Sequence, residues 1–182
     1  MKIPHGRKEL NSTYGKPYTR LLKRDLDWEA DNLVQMPLPY LMRLAWNLDQ
    51  VVSKVTIHRL VQPYLERALR KVWNHIRVEI KDEVGSDKTT DWYDDECGKR
   101  LRHLHLDILG GTFSPRPIRG TIWTPSTHWY GCAIDIDPLH NPMGGRSTLP
   151  LWFVDIFKGV GWTWGGTFKR FDPMHFQLAT GV

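Results

Sequence analysis

Between Arg59 and Ile76 the apolar positions Val61, Leu65, Ala68, Leu69, Val72 and Ile76 recur at helical spacing, which predicts the longest helix of the chain. Pro63 is tolerable there because it falls in the first turn. Two later stretches alternate with period two instead. Cys132, Ile134 and Ile136 share one face, with Ala133, Asp135 and Asp137 on the other; Met174 and Phe176 likewise oppose His175 and Gln177. Each predicts a short strand with one apolar and one polar face. Pro37-Leu38-Pro39 punctuates the approach to an apolar segment, Tyr40 to Trp46, read as a strand, and a further strand is expected near Leu101 to Leu109. Thr148 can cap a short helix running through Lys158, with Pro150 in its first turn and Gly159 at its end. Residues 1–36 are polar and turn-rich, with a basic stretch from Arg20 to Arg24, and predict an extended arm; residues 84–98 carry loop signals. The sum is an α+β fold, helices packed on one side of a small antiparallel sheet.

The polar faces of the two short strands carry the chemistry. Asp135 and His175 would both be presented to a shared cleft on the sheet, and His128 would reach in from the loop before the first strand. Gly131, with no Cβ, would let backbone crowd a metal there. Two imidazoles and one carboxylate form a set that leaves a tetrahedral zinc with one position open for water. Cys132 should point away from Asp135, as a buried thiol.

Ser126-Thr127-His128-Trp129-Tyr130-Gly131-Cys132-Ala133-Ile134-Asp135, followed by Asp172-Pro173-Met174-His175-Phe176, resembles the zinc peptidase family of D-alanyl-D-alanine carboxypeptidases and L-alanyl-D-glutamate endopeptidases. Gly165-Gly166 and the stretch Gly110 to Ile118 are most similar to its phage endolysin and cell-wall endopeptidase branch. The resemblance implies that His128, Asp135 and His175 bind Zn2+ and that Asp172 is the general base. It also implies that Arg116 stabilises the oxyanion or holds a substrate carboxylate. Ser126 and Trp129 are expected to contact substrate. Gln177 stands where many relatives have glutamate, a departure that bears on the charge behind His175. The similarity runs from about Gly110 to Gln177 and more loosely back to Leu60, so residues 1–50 are set apart as an N-terminal arm or elaboration and residues 51–182 as the catalytic domain.

Other clusters carry bland readings. His103 and His105 would share a strand face without a third ligand, Asp94-Asp95-Glu96 reads as a solvated loop, and Asp137 is either a support for the site or a turn residue before Pro138. Four of nine tryptophans, Trp123, Trp129, Trp162 and Trp164, bracket the site.

At 182 residues and 41% hydrophobic, the chain can bury one sizeable core. A net charge of +5 favours polyanionic partners, and bacterial peptidoglycan qualifies. No concentrated basic segment points to nucleic acid; Arg67, Arg70 and Lys71 read as a solvated helix face. Two cysteines give no disulfide framework. The amino terminus lacks the apolar core of a signal peptide, and no apolar run approaches the roughly 20 residues that span a bilayer. The resulting expectation is a peptidoglycan endopeptidase, made in the host cytoplasm and cutting the L-alanyl-D-glutamate bond of the stem peptide. It would act in phage lysis after holin-dependent release, or from a virion. The alternatives are a D-alanyl-D-alanine carboxypeptidase or a non-catalytic metal-stabilised structural protein.

Overall fold

The computed structural model describes residues 1–20 and 22–182; Leu21, inside the basic Arg20 to Arg24 stretch, lies outside the described residues. The fold is α+β. Helices α1 (Gly6–Tyr14) and α2 (Leu26–Asn32) precede strands β1 (Leu33–Leu44) and β2 (Asn47–His58). Then come α3 (Gln62–Val84), α4 (Thr90–His103), β3 (Ile108–Gly111), β4 (Ala133–Ile136), α5 (Leu151–Val160), β5 (Thr163–Trp164) and β6 (His175–Gln177).

The strands form one sheet in the order β2-β1-β3-β4-β6-β5. It is mixed where the sequence suggested antiparallel throughout, because β1 and β3 run parallel, Arg43 beside Ile108. A parallel pair needs a long crossover, and α3 and α4 lie between β2 and β3 to provide it. β1 runs straight through Pro37-Leu38-Pro39, which the sequence reading placed before the strand. The prolines are tolerated because pairing with β2 shifts register between Pro37 and Met42, and β3 pairs only with Arg43 and Leu44.

α3 buries Leu65, Ala68, Leu69, Val72, Ile76 and Ile80, so the apolar stripe continues one turn beyond the predicted end. It packs on β1, with α4 and α5 against it. α4 replaces the expected loop. Its apolar stripe is only Tyr93, Cys97 and Leu101, too thin to stand out among polar residues. Thr89 caps it by accepting from Trp92 N–H at 3.3 Å. Within it, Asp94 pairs with Arg77 at 2.7 Å and Asp95 with Lys99 at 2.7 Å, so the acidic run belongs to a helix and not to a solvated loop. His103 ends that helix, and His105, at φ +59°, stacks on His140; no strand face joins them. α5 starts after Pro150 and ends at Gly161. Thr148 caps nothing there: its N–H donates to Asn141 Oδ1 at 2.7 Å.

The first fifty residues are built into the body of the molecule. Leu10 and Tyr14 of α1 are fully buried, the Tyr14 hydroxyl donates to Leu178 O at 2.8 Å, and Asp25 caps α2 by accepting from Trp28 N–H at 3.0 Å. The extended arm is therefore corrected to two docked helices and a strand, and position 50 falls inside β2. No helix among the described residues is long and apolar enough to cross a membrane.

Candidate metal centre

Asp135 on β4 and His175 on β6 lie directly opposite each other in an antiparallel ladder, while their neighbours Ile134 and Phe176 form the next pair and face the core. Directly opposed residues hold their Cβ atoms about 5 Å apart, which is reach enough for a shared ion. His128 arrives on a 3₁₀ turn, Thr127–Tyr130, that Ser126 caps by accepting from His128 N–H at 3.3 Å. The turn closes at Gly131, in the left-handed region at φ +61°. A Cβ there would stand 2.8 Å from His58 N, so this glycine is required by the neighbouring β2 and not, as expected from sequence, by the metal site.

Three side chains converge. Asp135 Oδ1 lies 2.9 Å from His175 Nδ1 and 3.2 Å from His128 Nε2, and the two ring nitrogens are 3.2 Å apart. The far side of each ring fixes which nitrogen is free. His128 Nδ1 must donate to Thr112 O at 2.6 Å, since a carbonyl only accepts, leaving Nε2 with its lone pair toward the cluster. Gln177 Nε2 donates to Ala179 O at 3.1 Å, so its Oε1 faces His175 Nε2 at 3.0 Å and accepts from it. His175 Nδ1 is then the free lone pair. The neutral amide at 177 orients its histidine as a carboxylate would, without adding charge.

This donor set fits a divalent metal. The three ligand atoms lie within 4.8 Å of one another, all three residues are buried, and among the described residues no fourth His, Cys, Asp or Glu joins them. Burial works against ionised Asp135, but the charge and hydrogen bond of His128, with those of His175, outweigh it and hold the carboxyl well below the usual range. Burial also pulls His175 down, yet the hydrogen bond and charge of Asp135 keep it above its ordinary value.

The cluster lines a cavity of about 350 Å³ that also takes in Asp172, Arg116 and Ser126. Asp172 Oδ1 is buried there without a partner. Burial, aided by the charge of Asp135, raises its carboxyl above the ordinary value against the pull of His175, His128 and Arg119. The loop carrying it is tied by Asp172 N–H to Gly165 O at 3.0 Å, and a Cβ at Gly165 would collide with the carbonyl of Asp172, so only glycine fits. Arg116 is half-buried, and among the described residues its side chain reaches only its neighbour Pro117 O at 3.5 Å.

Trp129 is different. It is buried against Tyr18, ring centroids 5.7 Å apart, and does not line the cavity, whereas Thr127 on the other side of His128 does. Trp162 is buried, Trp164 donates to Pro173 O at 2.8 Å, and Trp123 is 73% exposed. Met174, expected on the apolar face, lines the cavity. Asp137 serves the turn, at φ +47° with His140 and Asn141 as partners. Cys132 is a buried thiol, as expected. Sequence reasoning missed Thr112, whose carbonyl is invisible to any motif of side chains, and the basic residues Arg119, Lys169 and Arg170, whose grouping needs the fold.

Two histidines, a carboxylate, an open side and an unpaired carboxyl beside it define the kind of centre that metallopeptidases use. Residues 120–178 match a family model described as D-alanyl-D-alanine carboxypeptidase, the zinc peptidase family that the sequence resembles, and the match takes in His128, Asp135, Asp172 and His175. No curated protein and no solved structure matches the chain.

Proposed function

We propose that this protein is a zinc peptidase that hydrolyses the stem peptide of bacterial peptidoglycan, cutting between L-alanine and D-glutamate. The observation that carries the reading is the convergence of His128, Asp135 and His175 beside the unpartnered carboxyl of Asp172. His128, Asp135 and His175 would hold a zinc ion, which would supply Lewis acidity and lower the pKa of a water to about 7. Asp172 takes a proton from the attacking water as its oxygen bonds to the amide carbon, and returns that proton to the departing nitrogen as the C–N bond breaks. The second proton of the water leaves the new carboxyl group for the amine, so the products are a carboxylate and an ammonium group. Arg116 offers a permanent, planar cation to the oxyanion or to a substrate carboxylate. Thr112 and Gln177 hold the two imidazoles in the tautomers that leave their lone pairs free. In the setting implied by the sequence, the enzyme serves a phage lysis system.

The carboxypeptidase reading is favoured by the matching family, which is described as D-alanyl-D-alanine carboxypeptidase. Digestion of purified peptidoglycan, with and without chelator, followed by mass spectrometry of the ends separates the two. New L-alanine carboxyl ends that vanish with chelator are expected. Free D-alanine would transfer the protein to the carboxypeptidase reading, and chelator-resistant cleavage would overturn the metal.

A further inference from the structure

The wall of the cavity holds more positive charge than the reaction uses. Besides Arg116, the side chains of Arg119, Lys169 and Arg170 line it, and among the described residues none of these four lies in an ion pair. Elsewhere in the molecule Arg24, Arg43, Arg70, Arg77, Lys99 and Arg100 find carboxylates. Among the described residues the acidic side chains lining the cavity are Asp135 and Asp172. Arg170 donates to Arg119 O at 2.8 Å, which joins the loop after Arg116 to the loop before Asp172 and brings the three basic residues to one rim of the cavity.

We infer that Arg119, Lys169 and Arg170 form an anion-recognition rim that selects substrates bearing a free carboxylate next to the scissile bond, and discriminates against the same peptide carrying a carboxamide there. This deepens the peptidase reading and rests on it for the identity of the bond. The physical basis is separate from the chemistry of cleavage. Exposed cations outside any ion pair lose little by accepting a ligand carboxylate, whose charge adds a Coulomb attraction that a neutral amide lacks. Several such contacts together are worth about tenfold in affinity. A ligand with two carboxylates, such as a stem peptide with unamidated D-glutamate and a free acid further along, matches the rim; a neutral peptide matches only the metal side.

Two synthetic stem peptides test this, identical except that the D-glutamate α-carboxyl is free in one and a carboxamide in the other. Their dissociation constants for the full chain are measured calorimetrically in chelator, where no hydrolysis occurs, and their kcat/KM values with zinc. The acid is expected to bind about tenfold more tightly, with a preference that shrinks as salt rises. Lys169→Gln combined with Arg170→Gln should bring the two peptides within about twofold, chiefly by weakening the acid. Arg170→Gln alone retains a donor for Arg119 O without the charge and should weaken the preference, which a purely structural role for that bond would not predict. Equal binding of the two peptides by the unaltered chain overturns the rim. Preference without turnover of either peptide leaves the rim standing and removes the assigned bond.

Discussion

His175 shows how little of a metal ligand's behaviour resides in the ligand itself. Its orientation is set by Gln177, whose own orientation is set by Ala179 O, and a reader of the sequence sees only that a glutamine stands where an acid is common. The ligands were legible because they lie in two compact motifs and period-two alternation put Asp135 and His175 on one face. Trp129 was misplaced because adjacency along a turn says nothing of direction. At this scale Asp172 carries the sharpest expectation. Asp172→Asn keeps the volume and the backbone tie to Gly165 but cannot take a proton. Zinc content on elemental analysis should be unchanged while kcat/KM falls about 10²-fold to 10⁴-fold. Activity within a few fold of the parent would remove Asp172 from the proton path.

The end of β2 is the most informative single element. His58 is 1% exposed, packed edge-on against Tyr14 at 5.0 Å between ring centroids and beside Trp28 at 5.7 Å. Its Nδ1 accepts from Leu60 N–H at 3.1 Å, and Nε2 donates to Tyr14 O at 3.2 Å. Only the neutral ring satisfies both, because a second proton would face the N–H of Leu60. Burial, against a partial pull upward from the Tyr14 carbonyl, lowers its pKa to about 4 from the ordinary 6.5. Between those values the unfolded chain binds the proton and the folded chain does not, so stability falls as pH drops through that window and levels off below it. The expected loss from this group is about 3 kcal/mol. Urea unfolding at pH 7 and pH 4 measures it, and a His58→Gln variant should lose correspondingly less; identical losses in the two proteins would refute the assignment. None of this was readable beforehand. β2 is buried only near its end, at Val55, Ile57 and His58, while Leu48 and Val51 are exposed; α4 buries a stripe of three, and β1 runs across two prolines, so hydrophobic periodicity had little to hold.

Across the whole molecule, the α+β class, the long α3 and the two site strands followed from pattern, whereas the docking of residues 1–50 did not. A polar segment that buries only Leu10 and Tyr14 of its first helix is indistinguishable from a tail until its partners, Leu178 O and His58, are in place. The sheet built this way is lopsided. β1 and β2 have twelve residues each, and the site strands β4 and β6 have four and three. A ladder of three residue pairs has few hydrogen bonds to protect it, so an ion gripped from both strands and from the turn before them would act as a rivet. Amide hydrogen exchange is the direct gauge. Adding zinc to chelated protein should slow exchange at residues 128–136 and 172–177 while α3 and the β1–β2 hairpin stay as they were. Uniform slowing across the chain, or none at all, would contradict it. The active half of this protein is thus expected to gain much of its rigidity only in company with its metal, which makes metal supply a control on lifetime against proteases as well as on turnover.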